Sequence, residues 1–202
     1  MKTDIILSGV GGQGILSIAT VIGDAALNEG LNLKQAEVHG MSQRGGDVQS
    51  NLRISSEPIH SDLIPLGSAN VIISLEPMEA LRYMPYLAPD GWVITSSKPF
   101  INIPNYPEQE LLDKELEKVK NIVLLDTAQI AVDNGMPRSE NMVLLGGAVD
   151  AIGLPLDKIL DSVKRIFASK GDAVIEQNLK AVTLAENTKS TMQAFNLRVV
   201  FM

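Results

Sequence analysis

An apolar run of strand length, Asp4-Ile5-Ile6-Leu7-Ser8, passes straight into Gly9-Val10-Gly11-Gly12-Gln13-Gly14 and then into an unbroken helical segment from Ile15 to Leu27. Strand, glycine loop and helix in that order commit the start of the chain to a βα unit, which needs a sheet to belong to. Gly9, Gly11 and Gly14 stand at the spacing G-x-G-x-x-G. Such a loop turns sharply, lets a ligand approach the backbone closely and lets the new helix pack tightly on the strand. The first amides of that helix are unpaired and sit at the positive end of its dipole, so they favour a phosphate or another anion. A tight connection that binds nothing is the alternative, but four glycines in six residues exceed what a turn requires. The motif alone does not name the ligand.

The alternation continues downstream. Asn28-Glu29-Gly30 supplies a stop, and Leu33 to Val38 reads as a second strand. Val48, Leu52 and Ile54 alternate with Gln49, Asn51 and Arg53, which predicts a third strand with one wetter face. Val71 to Ser74 is a buried-type strand, and Glu76-Pro77 opens a helix carrying Met78, Leu81 and Met84, with proline well placed in a first turn. Pro89-Asp90-Gly91 predicts a turn into the strand Trp92 to Thr95. The three prolines and two asparagines between Lys98 and Pro107 mark a surface loop, followed by a charged helix from Glu108 to Lys118 and a strand from Asn121 to Asp126.

The last third is helical. Met142 to Ile152 is apolar on most sides, and its Gly146-Gly147 suits close packing against another helix or the sheet. An amphipathic helix begins at Pro155, Gly171 breaks it, and Asp172 to Asn187 forms another. Arg198-Val199-Val200-Phe201 is a final strand or an arm that docks on a partner. The expected fold is therefore a three-layer α/β/α sandwich with a mostly parallel, Rossmann-like sheet and a helical C-terminal third, in one domain over residues 1–202.

Composition narrows the function. The 24 acidic residues against 17 basic ones give a formal charge of -7, which disfavours nucleic acid as the main partner. Cysteine is absent, so the chain holds no disulfide and no cysteine-ligated zinc or iron–sulfur cluster. The N-terminus is unlike a signal peptide, and no apolar run reaches the ~18 residues of a membrane span, so a cytoplasmic protein is expected.

A second unusual stretch is His39-Gly40-Met41-Ser42-Gln43-Arg44-Gly45-Gly46-Asp47. Ser42, Gln43 and Arg44 supply hydroxyl, amide and guanidinium donors, and Gly45-Gly46 lets the backbone bend around whatever they hold. Arg44 suits a bidentate grip on phosphate or carboxylate. Its place after the second strand puts it beside the first glycine loop, where open α/β sheets bind ligands; a solvated connection with Arg44 in a surface ion pair is the alternative. Glu37 stands where an acidic residue grips a ribose hydroxyl in dinucleotide sites, or merely faces water. His39 joins the candidate site through its neighbours, whereas His60 has none. Glu76 is either a site carboxylate or, as the simpler reading has it, a favourable charge in a first helical turn. No G-x-S-x-G elbow, P-loop lysine, Tyr-x-x-x-Lys pair or metal-ligand spacing is present. The sequence offers a binding site with no evident catalytic or metal-ligating set.

Three motifs in order, the glycine loop, Glu37 to Gly46, and Ser74-Leu75-Glu76-Pro77 before a helix, resemble the gamma domain of the 2-oxoacid:ferredoxin oxidoreductases. His39 to Gly46 is most similar to the small beta subunit of the indolepyruvate type; pyruvate-type members differ ahead of Arg-Gly-Gly. The resemblance covers essentially the whole chain. It implies a hetero-oligomeric oxidoreductase in which a large alpha subunit carries thiamine diphosphate and the iron–sulfur clusters, ferredoxin takes electrons from the complex, and coenzyme A takes the acyl group. This chain would be inactive alone. The resemblance implies that the gamma domain helps bind coenzyme A or closes over the thiamine site; the candidate cofactor-binding residues read from the two loops are Gly9, Gly11, Gly12, Gln13, Gly14, Glu37, His39, Ser42, Gln43, Arg44, Gly45 and Gly46, with a coenzyme A phosphate expected at Gly11 to Gly14 and Arg44. A related pyruvate or branched-chain enzyme, a stand-alone NAD(P)-binding reductase and a subunit that only braces its partner are the other readings.

Overall fold

The computed structural model describes residues 1–39, 45–193 and 199–200. Strand β1 (Lys2–Val10) leads through the glycine loop into helix α1 (Ile15–Asn28), and β2 (Asn32–His39), β3 (Asp47–Ser55), β4 (Ala69–Ser74), α2 (Pro77–Arg82) and β5 (Leu87–Ser96) follow. After these come α3 (Gln109–Leu116), β6 (Ile122–Leu125), α4 (Thr127–Asp133), α5 (Glu140–Ile152), α6 (Leu156–Phe167), α7 (Asp172–Gln193) and β7 (Val199–Val200). All seven strands form one sheet in the order β2-β3-β1-β4-β5-β6-β7.

From β1 through β7 every neighbouring pair is parallel, each joined by the long crossover that parallel pairing needs. The exception is β3, which returns from β2 antiparallel and inserts between β2 and β1. Alternation fixes its register: Leu52 and Ile54 point into the core against Ile5 and α1, and the interleaved Asn51 and Arg53 point to the other face. The expected turn at Pro89-Asp90-Gly91 proves to lie within β5, where residues 88–91 bulge out opposite Asn70. A Cβ on Gly91 would lie 2.9 Å from the Ala69 carbonyl oxygen, so the bulge needs a residue without a side chain there. Helix α4 escaped the sequence reading because seven residues are too few to display a period. Val199–Val200 pairs with β6, which makes that segment an edge strand of this sheet.

One face of the sheet carries α1 and α5, with α6 and α7 packed behind them, around a core that includes Ile5, Leu7, Ile18, Ile22, Val71, Ile73 and Ile94. Helix α5 is buried on nearly every side, which explains its lack of a polar stripe. Its two glycines serve two contacts. A Cβ on Gly146 would lie 2.2 Å from the Val182 carbonyl oxygen of α7, and one on Gly147 would lie 2.6 Å from Leu125 of β6. The opposite face holds a smaller core of Ile6, Ile72, Val93, Ala80, Tyr83 and Val119. Toward β3 that face turns polar, and the buried Asp4 carboxylate accepts from Arg53 Nε at 2.7 Å and Nη2 at 3.1 Å. The remaining Arg53 nitrogen, Nη1, donates to the Ser61 and Leu63 carbonyls, tying the segment between β3 and β4 across the sheet.

Candidate functional site

The glycine loop is shaped as much by its own side chain as by its glycines. The Val10 N–H donates to Gln13 Oε1 at 2.7 Å, and Gln13 Nε2 donates to the Leu75 carbonyl at 3.2 Å. Gln13 therefore stitches the end of β1 to the residue just past β4, and it also lines the cavity at the carboxyl edge of the sheet. Gly9 is small because Gln13 folds over it: a Cβ there would lie 2.9 Å from Oε1 and 3.0 Å from Ile15. Gly14, at φ 87°, precedes α1 and leaves it without a side-chain cap. A Cβ on Gly14 would stand 2.7 Å from Asn141 Nδ2, which donates to the Gly14 carbonyl at 3.2 Å. That bond brings the N-termini of α1 and α5 together.

The second glycine pair meets the first loop through the backbone. Gly11 N–H donates to the Gly46 carbonyl at 2.8 Å, and Gly45 N–H reaches the Gly11 carbonyl at 3.4 Å. Ser42, Gln43 and Arg44 fall in 40–44, outside the described residues. His39 ends β2 opposite Val48. Glu37 is placed differently from the expectation: it faces Ser50 of β3, and Ser50 faces Leu7 of β1, so a whole strand separates it from β1. Two strand spacings are about 10 Å. In a dinucleotide fold the acidic residue stands on the strand beside the glycine loop, and here the inserted β3 occupies that position.

Gly12, Gln13 and Gly14 instead open onto a cavity of about 560 Å³ at the carboxyl ends of β1, β4, β5 and β6. Its other walls include Leu75, Lys98, Phe100, Thr127, Arg138, Glu140 and Asn141. Lys98 and Arg138 add formal positive charge to the two converging helix N-termini. Lys98 Nζ stands 3.7 Å from the Asp126 carboxylate, which also caps α4 by accepting from the Gln129 amide. Glu140 lies half-buried in the first turn of α5; burial, and then the nearby Asp126, raise its pKa above the usual glutamate value. The arrangement is suited to holding an anion against amides and two cations, with Glu140 setting a pH-dependent opposition. Among the described residues no cluster of three or more His, Cys, Asp or Glu could hold a metal ion.

The sequence reading missed Lys98, Arg138, Glu140 and Asn141. No motif marks them, but Lys98 and Thr127 lie just beyond β5 and β6, where open α/β sheets collect ligand contacts. Glu76 proves to be a buried cap: its Oε2 accepts from the Glu79 amide at 2.8 Å, at the start of α2. That is the simpler of its two readings.

A mostly parallel sheet with helices on both faces, a glycine loop at the first strand and a cavity at the carboxyl edge lined in part by Lys98 and Arg138 define an α/β sandwich of the Rossmann-like kind. The chain belongs to the pyruvate ferredoxin/flavodoxin oxidoreductase family, which matches residues 4–187. It is 34% identical over 203 residues to indolepyruvate oxidoreductase subunit IorB of Pyrococcus horikoshii, covering 96% of this chain and 98% of that one. Against the common gamma subunit of the pyruvate/ketoisovalerate oxidoreductases of Pyrococcus abyssi, identity is 28% over 182 residues, or 88% of this chain and 92% of the other. The fold matches part of the 2-oxoglutarate:ferredoxin oxidoreductase of Magnetococcus marinus, solved with 2-oxoglutarate, coenzyme A and succinyl-CoA bound, at a TM-score of 0.73 and 19% identity. That match covers 94% of this chain and 31% of the other.

Proposed function

We propose that this chain is the small beta subunit of an indolepyruvate-type 2-oxoacid:ferredoxin oxidoreductase, a cytoplasmic hetero-oligomer that converts aryl 2-oxo acids to acyl-CoA and passes electrons to ferredoxin. The large alpha subunit carries thiamine diphosphate and iron–sulfur clusters, which supply the decarboxylation and electron transfer when bound. This chain, as one domain over residues 1–202, contributes a binding surface for coenzyme A. The observation that carries the reading is the cavity where the α1 and α5 N-termini converge with Lys98 and Arg138, in a chain 34% identical to IorB along nearly its whole length.

The residues fit the phosphate-bearing part of coenzyme A. The Gly11 and Gln13 amides bond backbone carbonyls, which leaves those of Gly12, Gly14 and the first residues of α1 as donors, and Lys98 and Arg138 offer charge. Gly45 and Gly46 meet the loop through backbone bonds to Gly11. The position of Glu37 weighs against the NAD(P)-binding reductase, because the ribose grip of such enzymes has no counterpart beside β1.

The test begins with anoxic co-purification with the large subunit and assay of dye or ferredoxin reduction with indolepyruvate, phenylpyruvate, branched-chain 2-oxo acids and pyruvate, each with and without coenzyme A. Activity that depends on coenzyme A and favours aryl substrates is expected. In the same complex Lys98→Ala with Arg138→Ala should raise the coenzyme A KM by about tenfold or more, the loss of two charge-assisted contacts. An unchanged KM would remove the cavity from the reaction. A colourless, partnerless protein that binds NADH would overturn the whole reading.

A further inference from the structure

The segment 97–107 joins β5 to α3 and is not a free loop. The Ser97 N–H donates to the Leu125 carbonyl at 2.9 Å, and Asn102 Nδ2 donates to the Gly45 carbonyl at 2.8 Å. Asn102 Oδ1 is buried and unpartnered, so that second tie comes with an uncompensated acceptor. The third tie is of another kind. Glu76 Oε1 accepts from the Tyr106 hydroxyl and from the Phe100 N–H at 3.4 Å, while its Oε2 caps α2. Glu76 is 0% exposed, so these are charge-assisted bonds in a water-poor setting, the strongest class available to such a segment. Between its fixed ends the segment presents Lys98, Pro99 and Phe100 to the cavity and leaves Ile101 72% exposed outside it.

We infer that Glu76 is a positioning residue: its buried carboxylate latches the 97–107 strap to the start of α2 through Tyr106, and thereby holds Lys98 and Phe100 in the cavity wall. The inference rests on the cavity being the coenzyme A site. Burial, and then the bond to Glu76, keep the Tyr106 phenol far above its ordinary pKa, so it remains a donor throughout the working range. With the Tyr106 bond lost, the described contacts left to the strap are near its start, at Ser97, between Ser96 and Lys98 and between Lys98 and Asp126, with the long Phe100 N–H bond to Glu76 and the poorly satisfied Asn102 beyond them. Opening it moves a cation and an aromatic ring away from the bound anion.

The experiment uses the assembled complex carrying Tyr106→Phe, which deletes one hydroxyl, and Glu76→Gln, which keeps shape and capping oxygen but removes the charge. Limited chymotrypsin digestion reports the strap directly through cleavage at Phe100–Ile101, identified by mass, and coenzyme A kinetics report its consequence. Cleavage about tenfold faster in either variant, with the coenzyme A KM raised at least about threefold and kcat at saturation retained, is the expected result. Cleavage and KM both unchanged in both variants would overturn the latch. Faster cleavage with an unchanged KM, together with an unchanged KM in Lys98→Ala, would leave the latch standing and overturn the ligand reading of the cavity. Faster cleavage with an unchanged KM, while Lys98→Ala does raise it, would show that the latch does not position the wall and would overturn the inference.

Discussion

Glu140 is the residue whose environment makes the sharpest prediction. Its pKa is raised, first by burial and then by Asp126, so its ionised form is disfavoured in the folded chain. A carboxyl with a folded pKa above its unfolded one costs no stability at low pH, where it is protonated in both states. The cost grows as pH rises through the window between the two values and is complete above it. Glu140→Gln should therefore raise the melting temperature at neutral pH and leave it unchanged near pH 3, as thermal unfolding at the two pH values would reveal. The same substitution removes a negative charge from a cavity suited to anions. Gln13 offers a residue-scale lesson of another kind: a polar side chain inside a glycine motif reads as a ligand contact, and here it also ties the Val10 and Leu75 backbones together while lining the cavity. One-dimensional spacing does not reveal which way a side chain folds.

Among the elements, α5 decides how the helical layer sits. It lies between the sheet and α7, and each of its paired glycines admits one neighbour. Gly146→Ala forces a methyl to within 2.2 Å of the Val182 backbone carbonyl unless the helices part, and a backbone atom cannot rotate away as a side-chain tip can. Overpacking of this kind costs about 1–3 kcal/mol. Chemical denaturation should show that loss with an unchanged m-value. The Gly146-Gly147 pair was legible in sequence as a close-packing device. Its two partners were not, because Val182 and Leu125 come from opposite directions along the chain.

Across the whole molecule, stability should be graded from the middle of the sheet outward. β1 and β4 are paired on both sides and fully buried along Ile5–Leu7 and Val71–Ile73, whereas β2 is an edge strand with most of its residues partly or fully exposed. Hydrogen exchange should protect the central amides at least about a hundredfold more than the outward-facing amides of β2, since edge openings need far less than global unfolding. Equal protection would mean that something covers that edge. Among the described residues no helix is long and apolar enough to cross a membrane.

The chain by itself determined its alternating elements, the glycine turn at the first strand, the buried character of α5 and the absence of cysteine chemistry. Each of these is written in local period, spacing or composition, and needs no knowledge of distant neighbours. It also carried the family, through three short motifs in order. Only the tertiary structure decided that β3 stands between Glu37 and the glycine loop, that Gln13 ties Val10 to Leu75, and that Lys98, Arg138, Glu140 and Asn141 gather where α1 and α5 begin. The physical reason is the same in each case. A parallel sheet brings the ends of strands far apart in sequence to one edge, so the site is assembled by strand order, which no local pattern encodes.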